Sequence, residues 1–171
     1  VLAFAGVAAA LVWSAPGQAA GDSHATPQRH WSFEGLFGTF DHAALQRGFQ
    51  VYSGVCSACH ALKQMHYRNL ADIGFSRDKV KEIAAAVEIA DGPNDQGEMF
   101  QRPGRASDRF RSPFANEQAS RVANNGAFPP DLSLMVKARV GGPDYLYSLL
   151  TGYRDAPAEV QIREGLHYNE Y

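Results

Sequence analysis

The sequence predicts an all-α fold with long loops, and three observations carry that prediction. Apolar residues recur at helical spacing in several short segments, most of them behind a residue able to cap a helix. No stretch offers a convincing pair of strands. Sixteen Gly and nine Pro imply long irregular connections between elements. The 171 residues suffice for one domain of ordinary size, and a formal net charge of −2 gives no electrostatic basis for binding nucleic acid. Two Trp, seven Tyr and ten Phe supply aromatic surface suited to packing around something large and flat.

The elements follow in chain order. Residues 1–20 carry no charge, run apolar from Val1 to Trp13, and end in small residues after Pro16. That pattern predicts the remnant of a secretory signal, cleaved after Ala19 or Ala20, in competition with a buried N-terminal helix. The mature domain is then residues 21–171 and works outside the cytoplasm. Residues 21–40 read as an extended arm with aromatic anchors at Trp31, Phe33, Phe37 and Phe40. Asp41 caps a helix in which Leu45, Gly48, Phe49 and Tyr52 share a face up to Cys56. Ser76 caps a second helix from Arg77 to Ala90, with Val80, Ile83, Ala84 and Val87 on its apolar side and Gly92-Pro93 as its stop. A long polar loop is expected from there to about residue 114, and such a loop is usually functional or anchored. Short helices are expected from Asn116 to Ala123, from Asp131 as cap to Arg139, and from Asp144 to Thr151, with an irregular tail to Tyr171.

The chemistry concentrates in Val55-Cys56-Ser57-Ala58-Cys59-His60, which holds both cysteines of the chain. A disulfide between Cys56 and Cys59 would close a tiny loop and stabilise little. A redox dithiol normally follows a strand and opens a helix, whereas this pair ends a helix. Zinc needs four ligands, and the other His residues (24, 30, 42, 66 and 167) are scattered. Covalent haem attachment asks for this arrangement. Two thiols three positions apart add to the vinyl groups along one porphyrin edge, and the following His sits under the iron. The spacing therefore predicts one covalent haem c per chain, with His60 as an iron ligand.

With the haem motif placed, the segments RGFQVYSGVCSACHALKQMHYRNL, ANNGAFPPDLSLMVKARVGGPDYLYSLLTGY and REGLHYNEY resemble the cytochrome c1 family over roughly residues 28–171. The resemblance implies a class I cytochrome c-like haem domain with long loop insertions. It implies an electron carrier of the bc1 complex, beside cytochrome b, that takes electrons from the Rieske iron–sulfur subunit and passes them to a soluble cytochrome c. It places the domain on the periplasmic side of the inner membrane, held by a C-terminal anchor beyond Tyr171. By position, Cys56 and Cys59 hold the haem and His60 is the proximal ligand. Asn124, Arg139 and Tyr145 match family positions near the haem propionates, and Pro129 and Pro130 match the segment packed on the His side. An Arg suits a propionate because its fork of donors pairs with carboxylates, but Arg139 also reads as a solvated charge at the end of a helix. A Pro carbonyl is suited to accept the His60 Nδ1–H and orient the ring.

The resemblance further implies a second axial ligand, a Met beyond residue 171, so that the chain is expected to be truncated at its C-terminal end, and the lack of an initiator Met and a basic segment before Val1 predicts the same at its start. Of the methionines present, Met65 lies too close to His60, Met135 reads as core, and Met99 is the remaining geometric candidate. His66 and Tyr67 face either the haem edge or the surface, and Asp91, Asp95 and Glu98 form either a docking patch for a basic partner or a solvated loop. The competing functions are a soluble periplasmic class I cytochrome c and a haem enzyme with an open sixth coordination site.

Overall fold

The computed structural model describes residues 26–171, so the expected signal segment at residues 1–20 lies outside the described residues. The aromatic arm is anchored by Trp31, whose indole N–H donates to Asp144 Oδ1 at 2.8 Å. Phe33 stacks between Trp31 and Phe40, with ring centroids 5.8 and 5.0 Å away. Phe37, expected as a further anchor, is instead 90% exposed.

Helix α1 (His42–Gly54) starts where Asp41 accepts the Ala44 N–H at 3.1 Å, as the sequence predicts. It delivers the chain to a short 3-10 turn at Cys56–Ala58. A 3-10 helix at Tyr67–Ile73, absent from the sequence-based reading, packs against α2 (Arg77–Ala85). Together they make the core: Tyr67, Leu70, Val80 and Ala84 are buried, with Phe49, Phe75 and Phe110 packed around them. The Phe110 ring joins this core to α1, with its centroid 4.4 Å from that of Tyr67 and 6.2 Å from those of Phe49 and Tyr52.

Two expectations fail next to α2. The helix ends at Ala85 rather than Ala90, and Glu88–Asp91 is a strand, β1, paired antiparallel with β2 (Phe100–Pro103). Exposure alternates along β1, with Ile89 and Asp91 partly buried and Glu88 and Ala90 exposed, so a period of two replaces the helical period that ends at Val87. The expected polar loop thus begins as a hairpin. Arg102 of β2 clamps it, donating to both oxygens of Asp108 at 2.7 and 3.0 Å and also to Asp91. Gly104, next to β2, passes so close to α2 that a Cβ there would stand 2.5 Å from the Ala84 carbonyl oxygen.

Helix α3 (Glu117–Ala123) forms behind its Asn116 cap as expected. The helix expected from Asp131 to Arg139 shrinks to α4 (Met135–Ala138), and Asp131 does not cap it. The Asp131 carboxylate accepts instead from the backbone N–H of Lys63, at 2.7 Å, and of Ser133, at 2.9 Å. One of these donors is two residues on and the other lies on a remote segment, and neither belongs to the first turn of α4. Helix α5 (Gly142–Thr151) follows Gly141, which turns the chain with φ 83°. The tail pairs back, Tyr153 bridging to Asn169. Among the described residues no helix is long and apolar enough to cross a membrane.

Candidate haem-attachment site

The site is built by the end of α1. Val55 N–H closes the helix on the Val51 carbonyl at 2.9 Å, and the chain then tightens. The Cys56 carbonyl accepts from Cys59 N–H at 3.1 Å and from His60 N–H at 2.8 Å. One turn of backbone therefore presents both thiols and the imidazole. The thiols are separate and half-buried.

His60 is fixed from two directions. Its Nδ1 lies 2.8 Å from the Pro130 carbonyl oxygen. A carbonyl oxygen only accepts, so Nδ1 carries the proton, and in the neutral ring Nε2 keeps its lone pair, the form that binds a metal. On the other side the Tyr52 hydroxyl donates to the His60 carbonyl at 3.1 Å. Burial, reinforced by the neighbouring Tyr67, Asp131 and Cys56, pushes the Tyr52 phenol up to about 12, so it stays a donor.

The segment after His60 is laced to the segment after Pro130. Leu132 N–H donates to the Ala61 carbonyl at 2.9 Å. Gln64 N–H donates to Ser133 Oγ at 3.0 Å, beside the Lys63 donation to Asp131. Burial acts to raise the Asp131 carboxyl, but the hydrogen bonds from Ser133 and from Lys63 N–H outweigh it and hold the group below its ordinary value.

Two cavities with aromatic residues in mixed linings flank the turn. A cavity of about 380 Å³ is lined by Phe49, Tyr52, Ala58, Tyr67 and Phe110 among others. A second, of about 180 Å³, is lined by Cys59, Phe114, Phe128 and Pro129 among others, and both reach Ser112 and Pro113. Paired thiols, an imidazole with Nε2 available and aromatic walls fit haem c. The zinc alternative loses ground, because no group of three or more His, Cys, Asp or Glu is placed to hold a metal ion among the described residues.

A family model described as the cytochrome C1 family matches residues 31–171. The chain belongs to the cytochrome c1 family. Similar proteins include cytochrome c1 1, heme protein, mitochondrial, of Arabidopsis thaliana, 50% identical over 98% of this chain and 55% of the relative. Cytochrome c1 of Rhodospirillum rubrum is 51% identical over 84% of this chain and 59% of its own length. The cytochrome b-c1 complex catalytic subunit, mitochondrial, of Candida albicans is 51% identical over 85% of this chain and 51% of its own. The chain spans about half the length of the curated relatives it matches. The helix-dominated fold agrees with the class I cytochrome c-like architecture of a cytochrome c1, to which the β1–β2 hairpin is an addition.

The residues singled out in the sequence divide into those gathered at the turn and those apart from it. Pro130 meets His60, and Pro129 shares a cavity wall with Cys59. Asn124 is half-buried and donates to the Ser120 carbonyl at 2.7 Å, one turn back on α3. Arg139 is exposed, its guanidinium donating to the Ala138 carbonyl at 3.2 Å. Tyr145 is half-buried on the first turn of α5. None of these three has a hydrogen bond to the CSACH turn among the described residues. Met135 is buried, as read, and Met99 is 66% exposed beside Gly92 of the hairpin. Tyr67 proves to be core, while His66 opens the 3-10 helix and bridges to Arg109. Of the acidic cluster, Asp91 is engaged by Arg102, whose hydrogen bond holds its carboxyl below the ordinary range, and Asp95 and Glu98 are exposed. Sequence reasoning missed Tyr52 and Asp131 as supports of the site. The position of Tyr52 four residues before Cys56, one helical turn away, was the available signal for the first.

Proposed function

We propose that this chain is the haem-bearing part of a mono-haem electron carrier of the bc1 complex. Cys56 and Cys59 tether haem c through thioether bonds, and His60 Nε2 ligates its iron. When bound, the haem supplies one-electron exchange between ferric and ferrous iron. The protein's own part is to hold the ligand ring, exclude water with aromatic walls, and dock partners. The Pro130 carbonyl fixes the ring's tautomer and strengthens its donor nitrogen. Asn124, Arg139 and Tyr145 are assigned to the haem propionates, and Pro129 to packing on the His60 side.

The carrier takes electrons from a Rieske iron–sulfur subunit and gives them to a soluble cytochrome c, in a complex that includes cytochrome b. It faces the periplasm from the inner membrane, through an anchor outside these residues, and residues 1–20 are its export signal. The relative in Candida albicans named for the b-c1 complex supports this reading. The single observation that carries it is the 2.8 Å approach of His60 Nδ1 to the Pro130 carbonyl, directly after a CSAC turn.

The test is a pyridine haemochrome spectrum and a haem stain after denaturing electrophoresis, on protein made in a host that attaches haem c. One covalent c-type haem is expected, with a single-thioether spectrum in Cys59→Ala. Protein that carries two thiols and no covalent haem sinks the reading. Failure of the full-length gene to restore quinol–cytochrome c reductase activity in a deletion strain would sink the bc1 assignment alone.

A further inference from the structure

The hydrogen bond from His60 to Pro130 does not stand by itself. Pro130 lacks a backbone N–H, and nothing in the proline itself aims its carbonyl at an imidazole seventy positions away. The aim comes from the next three residues. Asp131 takes the Lys63 N–H on one oxygen and the Ser133 N–H on the other, at 2.7 and 2.9 Å. Ser133 Oγ takes the Gln64 N–H at 3.0 Å, and Leu132 N–H reaches the Ala61 carbonyl at 2.9 Å. Two side chains therefore accept, and one backbone N–H donates, across the gap at positions 61, 63 and 64. Sliding either segment by one residue would take the Lys63 N–H from a half-buried carboxylate and leave it only the Ser133 N–H, which costs more than a neutral bond returns.

We propose that Asp131 and Ser133 are positioning residues that clip the segment after CSACH to the Pro-Pro segment and so set the Nδ1–H···O=C bond of His60. Through that bond they set the donor strength of Nε2 toward the haem iron. The effect on iron rests on the haem reading given above, whereas the effect on the ring does not. A firm Nδ1–H bond gives the imidazole more imidazolate character and favours ferric iron. Loosening the clip raises the reduction potential.

The experiment compares Asp131→Ala, Asp131→Asn and Ser133→Ala with the parent, following the His60 ring by nitrogen-15 NMR and the haem-loaded protein by redox titration. Loss of a charge-assisted anchor is expected to speed exchange of the His60 Nδ1 proton about tenfold or more in Asp131→Ala. Asp131→Asn keeps the shape with one acceptor oxygen and falls between that variant and the parent, and Ser133→Ala shows a smaller change of the same sign. Haem stain stays at the parental level and the potential rises in the same order. Arg102→Ala, which loosens the hairpin clamp, leaves the ring proton and the potential unmoved. A folded Asp131→Ala with parental exchange and parental potential overturns the clip. Should Asp131→Ala not fold, parental values in both Asp131→Asn and Ser133→Ala overturn it equally. If the parent attaches no haem, the proposed function fails, and the ring proton still decides the clip.

Discussion

The body formed by the Tyr67–Ile73 helix, α2 and the hairpin lies beside the attachment segment, yet the two are held by different forces. In the body, Tyr67, Leu70, Val80 and Ala84 bury one another and aromatic rings close the sides. Around the CSACH turn, α1 buries no residue fully, and Val51 and Val55 stand 58% and 68% exposed. What fixes that segment is a ladder of directed hydrogen bonds to His60, Ala61, Lys63 and Gln64. A side-chain core gives stability without direction. Hydrogen bonds give direction with modest stability, which is what a ligand that must point at one atom requires.

The largest effect that would break the comparison comes from the thiols. Replacing Cys56 and Cys59 together by Ala should abolish the haem stain completely, while amide protection at Leu70 and Val80, measured by hydrogen exchange, stays near parental. Loss of that protection would mean that the body depends on the attachment segment. Next comes Leu70→Ala. Leu70 is 5% exposed, and removing a buried leucine side chain costs about 2–5 kcal/mol, read as a fall in the urea midpoint. The paired prediction is that haem content is unchanged in whatever fraction folds.

Legibility in the sequence followed the same division. Local signals were read correctly: Asp41, Ser76 and Asn116 cap the helices expected of them, because a cap needs only the next three residues. The CSACH spacing was equally local. What stayed hidden depended on remote partners. Asp131 sits after Pro-Pro where a cap is plausible, yet one of its oxygens serves Lys63, sixty-eight positions away, and the other Ser133. Residues Glu88–Asp91 lie past Val87, the last apolar position of the helical pattern, and pair with β2, a partner that the local pattern does not reveal. Asn124, Arg139 and Tyr145 are named only by the family resemblance, and none of them has a hydrogen bond to the turn among the described residues.

The hairpin clamp sharpens the comparison at intermediate size. Gly104→Ala places a methyl 2.5 Å from the Ala84 carbonyl oxygen, and such overpacking costs about 1–3 kcal/mol, to be read by chemical denaturation. Asp108 adds a pH dependence. The Arg102 guanidinium lowers its carboxyl from 3.8 to about 2 in the folded chain. The folded group binds its proton less readily than the unfolded one, so its contribution is present above the ordinary carboxylate pKa. That contribution fades as pH falls from about 4 toward 2. A urea midpoint that drops in that window, with a shallower drop in Asp108→Asn, is the expected outcome. Equal slopes would remove the clamp from the account of stability.

The smallest effect is the most discriminating, because it tests direction with almost no change in stability. Tyr52→Phe removes only the hydroxyl that donates to the His60 carbonyl at 3.1 Å and keeps the ring packed against Phe110. A neutral hydrogen bond of this kind contributes about 0.5–1.5 kcal/mol, so the denaturation midpoint should move little. The backbone of His60 is nevertheless pinned from one side by Tyr52 and its ring from the other by Pro130. Freed at the carbonyl, the residue can rotate about its own backbone while the Pro130 bond holds the ring, and the two anchors no longer agree. The His60 ring resonances should broaden or shift in Tyr52→Phe while those of core Tyr67 stay in place. Parental His60 resonances would show that the clip at Asp131 alone sets the ligand.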